Sequence, residues 1–276
     1  MSRTLGTVLA ILAYLVFIVG AKNFAPTHSD EVPGSVVLPP ALQTILYLGD
    51  PYLAANVEET RVLMTGGAVE GIAQDYYDRL HQAVAVLNPC HEDNYYVANA
   101  LLGWAGSVDT AIVILRGASA CRFWDEIPPF FLSYNLYFFK QQYLQASKAV
   151  TQAAERASDN RAGFLRMAIL YEAETYPDIH VAQAFLMAQR DQARDEKLRQ
   201  LLDLRIGRLA GLIILRDAQQ AYEKRYGHAL QIPSELITSG VLKQFPSDPV
   251  RLGYVFENGQ FGLKELKIRG MERARK

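Results

Sequence analysis

Tyr95–Ala118, YYVANALLGWAGSVDTAIVILRGA, and Phe130–Ala153, FFLSYNLYFFKQQYLQASKAVTQA, decide the reading of the fold, because they carry one pattern twice. Ala111 and Ala146 are the equivalent centres, 35 residues apart. Around the first stand Tyr95, Ala98, Leu102, Gly106, Val108, Leu115 and Ala118. Around the second, at the same offsets, stand Phe130, Ser133, Tyr137, Gln141, Tyr143, Val150 and Ala153. Small residues let two helices approach closely, and large ones fill the adjacent holes. A weaker third copy centres on Ala182, with Ile169, Ala173, Ile179 and Leu186.

Working outward, the periodicity stays helical. Val69, Ile72, Ala73, Tyr76, Leu80, Ala83, Val84 and Leu87 follow one helical face, and Gly66-Gly67 and Asn88-Pro89 bracket it as breakers. Spacing and breakers predict further helices over 50–65, 93–104, 107–122, 129–140, 143–157, 161–176, 178–190 and 195–226. Short gaps between them make sequence neighbours antiparallel pairs. The repeated pattern resembles the tetratricopeptide repeat over about 90–190, with Tyr95 and Phe130 where a Trp is usual and Gln141 where a Gly is usual. The resemblance implies a solenoid of helix hairpins whose concave face is lined by the first helix of each pair. Carried over position by position, it assigns partner binding to Tyr96 and Trp104, then Phe131, Asn135, Phe138 and Phe139, then Met167 and Tyr171. A nonrepetitive helical bundle is the alternative, and a groove filled by the protein's own helices is the alternative to partner binding.

Thr4 to Ala21, TLGTVLAILAYLVFIVGA, is eighteen residues without a charge, about 27 Å as a helix, against a bilayer core of roughly 30 Å. The expected fold class is therefore all-α. An N-terminal transmembrane helix, or a signal peptide cleaved after Val19-Gly20-Ala21, precedes the antiparallel hairpin solenoid, and a small C-terminal cap contains a β-hairpin. Expected boundaries are 1–22 for anchor or signal, 23–40 for a proline-rich linker, 41–226 for the helical domain and 227–276 for the cap. The hairpin rests on Asn258-Gly259 between Tyr254-Val255-Phe256 and Phe261. The expected location is a bacterial inner membrane, single-pass, with the body in the periplasm.

The 276 residues hold 28 Lys+Arg and 29 Asp+Glu, which excludes a strongly basic nucleic-acid binder. Charge is uneven: residues 1–140 hold 7 basic and 13 acidic groups, residues 141–276 hold 21 and 16. The basic tail from Lys264 to Lys276 is either a solvated end or a contact for anionic lipid headgroups. Cys90 and Cys121 bracket the first repeat and fall at the same end of an antiparallel pair, so an oxidising compartment permits a disulfide. Cys90-His91-Glu92-Asp93 is a cluster of metal-ligand types. Adjacent residues rarely converge on one ion, and a helix start capped by Asp93 or Asn94 is the reading preferred, with no metal and no cofactor expected. No nucleophile elbow, phosphate loop, haem site or zinc helix occurs. Glu172 and Glu174, beside Tyr171 and Tyr176, are the residues an acid-catalysed cell-wall lyase would use. The expectation is a membrane-anchored scaffold or assembly factor that binds another protein of a membrane-associated complex. An enzyme on a helical frame, or a structural subunit of such a complex, are the rivals.

Overall fold

The computed structural model describes Tyr14 and residues 36–65 and 74–264. Helices follow one another with short turns: α1 Pro40–Leu46, α2 Pro51–Thr65, α3 Gln74–Leu87, α4 Glu92–Ala105, α5 Val108–Cys121, α6 Ile127–Phe138, α7 Tyr143–Arg156, α8 Arg161–Ala173, α9 Ile179–Gln192, α10 Glu196–Tyr226 and α11 Glu235–Thr238. Two strands end the described chain, β1 Tyr254–Glu257 and β2 Gln260–Leu263.

Each helix packs on the next as a tightly packed antiparallel array. Next-but-one contacts join α3 to α5, α4 to α6 and α8 to α10. That second layer of contact is what a helical-repeat fold requires, because each hairpin buries its face against the hairpin beside it. The small positions of the repeat make the close approaches: Ala98, Ala111, Ala118, Ala146 and Ala153 are all buried in one core with Tyr95, Leu102, Leu115 and Val150. Gly106 ends α4 in the left-handed region, at φ 103°. Its counterpart Gln141 takes the same region without being glycine, at φ 54°. The second turn thus keeps the geometry of the first at some conformational cost.

At the C-terminal end, Gly227 stops α10 in the left-handed region, and the chain returns along it as the hairpin. Asn258 and Gly259 both have positive φ, the two-residue turn whose twist matches antiparallel strands. It sets the register Glu257 opposite Gln260 and Tyr254 opposite Leu263. The hairpin lies on α10 through buried Phe261, Leu212, Leu215 and Tyr222.

The expectation of an all-α chain with an N-terminal transmembrane helix is corrected here. No helix among the described residues is long and apolar enough to cross a membrane. At 31 residues α10 has the length, but Arg199, Asp203, Arg205, Arg208, Arg216 and Asp217 break any apolar run. Thr4 to Ala21, on which the expectation rested, lies outside the described residues except for Tyr14, as does most of the linker. Residues 66–73, where the helix of α3 was expected to begin, and the basic tail beyond Lys264 lie outside them too.

Candidate functional site

The residues singled out for partner binding sit on α4, α6 and α8. On α4 and α6 they form two aromatic clusters. At one end Tyr96 meets Phe131 edge-on at 5.2 Å between ring centroids and stacks on Tyr95 at 4.8 Å. At the other, Trp104 lies 5.6 Å from Phe138 and 5.3 Å from Phe139, while Tyr134 stacks on Phe138 at 5.4 Å. Tyr134 was not foreseen, although it lies four residues before Phe138 on the same helical face. The rings satisfy much of one another, yet Tyr96 and Trp104 keep 39% and 47% of their surface in water. The result is a ridge of aromatic edges and not a deep cleft.

Asn135 lies between the clusters and is fully buried. Its amide donates to Asn99 Oδ1 at 2.7 Å and to the Phe131 carbonyl at 2.9 Å, so it ties α6 to α4 and does not face a partner. Gly103 makes this possible, since a Cβ there would stand 3.0 Å from Asn135 Oδ1 and 3.4 Å from Phe139. Tyr171 is likewise buried and stacks on Tyr137 at 4.0 Å, and Met167 packs on the same core. The exposed part of the aromatic set is therefore Tyr96 and Trp104, with the edges of Phe131, Phe138 and Phe139.

Cys90 and Cys121 are joined by a disulfide with their Cα atoms 5.3 Å apart, closing the α4–α5 hairpin at one end. Arg122 continues the closure. It pairs with Glu92 at 3.0 Å and with Asp125 at 2.8 Å, and Asp125 accepts from the Tyr95 hydroxyl at 2.9 Å. Burial pushes the Tyr95 phenol up, and the Asp125 acceptor pushes it further. For Asp125 burial acts upward, but the Ile127 N–H, Arg122 and Tyr95 outweigh it, and the carboxyl falls below its ordinary range. Arg156 donates to the carbonyls of Ser119, Arg122 and Asp125, carrying the network from α5 to α7.

A second polar cluster was not foreseen. The α2 carboxylates Glu58 and Glu59 point inward and are buried. Neither oxygen of Glu59 has a hydrogen-bond partner among the described residues. Burial, reinforced by Asp93, pushes its carboxyl up to about 7. His81 is also completely buried, with Nδ1 2.7 Å from Asn94 Oδ1, and burial lowers its pKa, keeping it neutral. His91, not Asp93 or Asn94, caps α4, and its Nε2 lies 3.0 Å from Asn56 Oδ1 on α2. The Cys90-His91-Glu92-Asp93 run is thus spent on a disulfide, a cap and the first turn of a helix. No group of three His, Cys, Asp or Glu among the described residues could hold a metal ion.

Glu174 pairs with Arg205 at 3.2 Å, while Glu172 borders a shallow depression with Leu165, Gln189, Gln192 and Leu198. The two carboxylates have different surroundings. No known family, no curated protein and no solved structure matches this chain. The class is therefore set by the coordinates alone: a tightly packed antiparallel helical array compatible with a helical-repeat fold.

Proposed function

We propose that this is a tetratricopeptide-like interaction module that holds a segment of another protein against the aromatic ridge of α4 and α6. The supporting observation is Trp104, which the Phe138 and Phe139 rings fix in place while nearly half of it stays in water. A large ring held rigidly at a surface offers contact area at little entropic cost, which is how Trp and Tyr serve as binding anchors. The disulfide suits a chain that works in an oxidising compartment. The role is that of a scaffold or assembly factor, with no cofactor.

The test is affinity capture of the full-length tagged chain, with the parent, Trp104→Ala and Tyr96→Ala compared. A partner recovered with the parent and depleted by both variants, whose circular dichroism is unchanged, supports the reading. A partner retained equally by all three removes the ridge from the interaction.

A further inference from the structure

The helix α2 is inside out. Its buried side consists of Ala54, Ala55, Glu58, Glu59 and Val62. Its opposite side carries Tyr52, Leu53, Val57, Leu63 and Met64, all exposed, with Thr60 and Asn56 between them, the Asn56 amide oxygen also meeting the His91 ring of α4 at 3.0 Å. At 100° per residue these seven positions fall within one arc of about 140°, so they form a single stripe. The preceding helix extends it. Leu42, Ile45 and Leu46 of α1 are exposed, and Leu48 in the turn after it is 97% exposed. The surface stands at the first described hairpin of the array, and an open end of a helical array needs a polar outer face to stay single. An apolar surface this continuous marks a contact.

We propose that this face binds the same face of a second copy of the chain, with the two α2 helices antiparallel about a two-fold axis at mid-helix. Charge argues for that occupant. A two-fold axis sets every charge near it against its own image, and this face carries none. The charges lie at its borders and have opposite signs. Asp50 caps the start of α2 through the N–H groups of Tyr52 and Leu53 at 2.9 and 3.1 Å. Arg61, paired with Glu58 at 3.3 Å, lies toward the other end. An antiparallel pair brings the Asp50 end of each copy to the Arg61 end of the other and opposes the two helix dipoles. Tyr52 of one copy then lies over the Leu63 and Met64 end of the other. An anionic lipid surface fits less well, because the stripe has no Lys or Arg within it. The inference is independent of the aromatic ridge.

Val57→Cys tests it on the full chain in nonionic detergent, with micelles in excess over protein. Both native cysteines are in the disulfide, so the new thiol is the only free one. Mild oxidation should convert most of Val57→Cys to a covalent dimer, while Val113→Cys, exposed on α5, stays mostly monomeric. In sedimentation, the parent should have the mass of two chains and Val57→Lys that of one, with unchanged helical circular dichroism. If Val57→Lys does not fold, Tyr52→Lys takes its place. Equal cross-linking at the two positions overturns the proposal, as does a single-chain mass for the parent at tens of micromolar. So does a monomer that floats with phosphatidylcholine vesicles and is released by Val57→Lys, which assigns the face to lipid.

Discussion

The two ends of the helical array are finished in opposite ways. At the C-terminal end the hairpin covers α10, and the segment just before it is bolted to α10 by a buried ion pair. Arg208 and Asp248 meet at 3.1 Å with almost no exposure. Arg208 also reaches the carbonyls of Gly253 and Lys264, and the Tyr254 hydroxyl donates to the Arg208 carbonyl at 3.1 Å. Gly211 leaves the space for that ring, since a Cβ would overlap it. At the N-terminal end, α1 and α2 turn apolar side chains outward and bury two carboxylates. One end invests its polar groups in closing the array on itself. The other, among the described residues, leaves an apolar face open, the face proposed above for association.

The sharpest way to break the comparison is to remove one partner of the C-terminal bolt. Asp248→Ala leaves Arg208 buried and unpaired, which costs about 3–5 kcal/mol. Hydrogen exchange should show the amides of β1 and β2 losing protection first. Burial acts to raise the Asp248 carboxyl, but N–H groups of Val250 and Gly253 together with Arg208 bring it below its ordinary value. Its contribution is therefore present above the unfolded carboxylate pKa of about 4 and lost as pH falls through the lower folded value. Guanidinium melts between pH 5 and pH 2 read this directly.

Between the ends, replacing Cys90 and Cys121 by Ala should cost about 3–4 kcal/mol in the chain-entropy account of a loop of this length. The midpoint of urea unfolding measures it. The N-terminal end should respond in the opposite direction to the loss of a charge. The Glu59 carboxyl is raised to about 7, so the folded state holds a proton that the unfolded state releases above about pH 4.5. Its stability contribution is intact below about pH 4.5, falls as pH rises, and is gone above about 7. Glu59→Gln should thus stabilise the chain by on the order of 2–3 kcal/mol at pH 8 and by little at pH 4. Melting temperatures at the two pH values decide it, and equal shifts at both would show that Glu59 is not titrating. The smallest effect expected is at the second repeat turn. Gln141→Gly relieves a non-glycine residue at positive φ and should gain about 1 kcal/mol in the same urea assay.

Much of the array was legible in the sequence because its information is local. The 3.6-residue period and the Gly and Pro breakers place α2 and α4 to α10 within about three residues of their observed ends. The Asn258-Gly259 pair gives the hairpin, since only residues tolerant of positive φ make that turn. The tetratricopeptide resemblance, carried over position by position, picks Tyr96, Trp104, Phe131, Phe138 and Phe139, which do meet in space. It also assigns Asn135 and Tyr171 to partner binding, and the structure buries both. Carrying over a pattern position by position does not register that Gly103 lets α4 and α6 close over an asparagine.

What the sequence determined by itself, then, is which segments are helical, where they turn, and that two hairpins share one packing pattern. What only the tertiary structure decided is which face of each helix goes inside. In α2 the period is satisfied equally by burying Ala54, Ala55, Glu58, Glu59 and Val62 or by burying Tyr52, Leu53, Val57, Leu63 and Met64. Hydrophobicity alone favours the second set. The structure takes the first, because small alanines at 54 and 55 allow the close packing against Val84 and Leu87 of α3 that larger side chains would block. Periodicity fixes an axis through a helix, and only the shape of its neighbours gives that axis a direction.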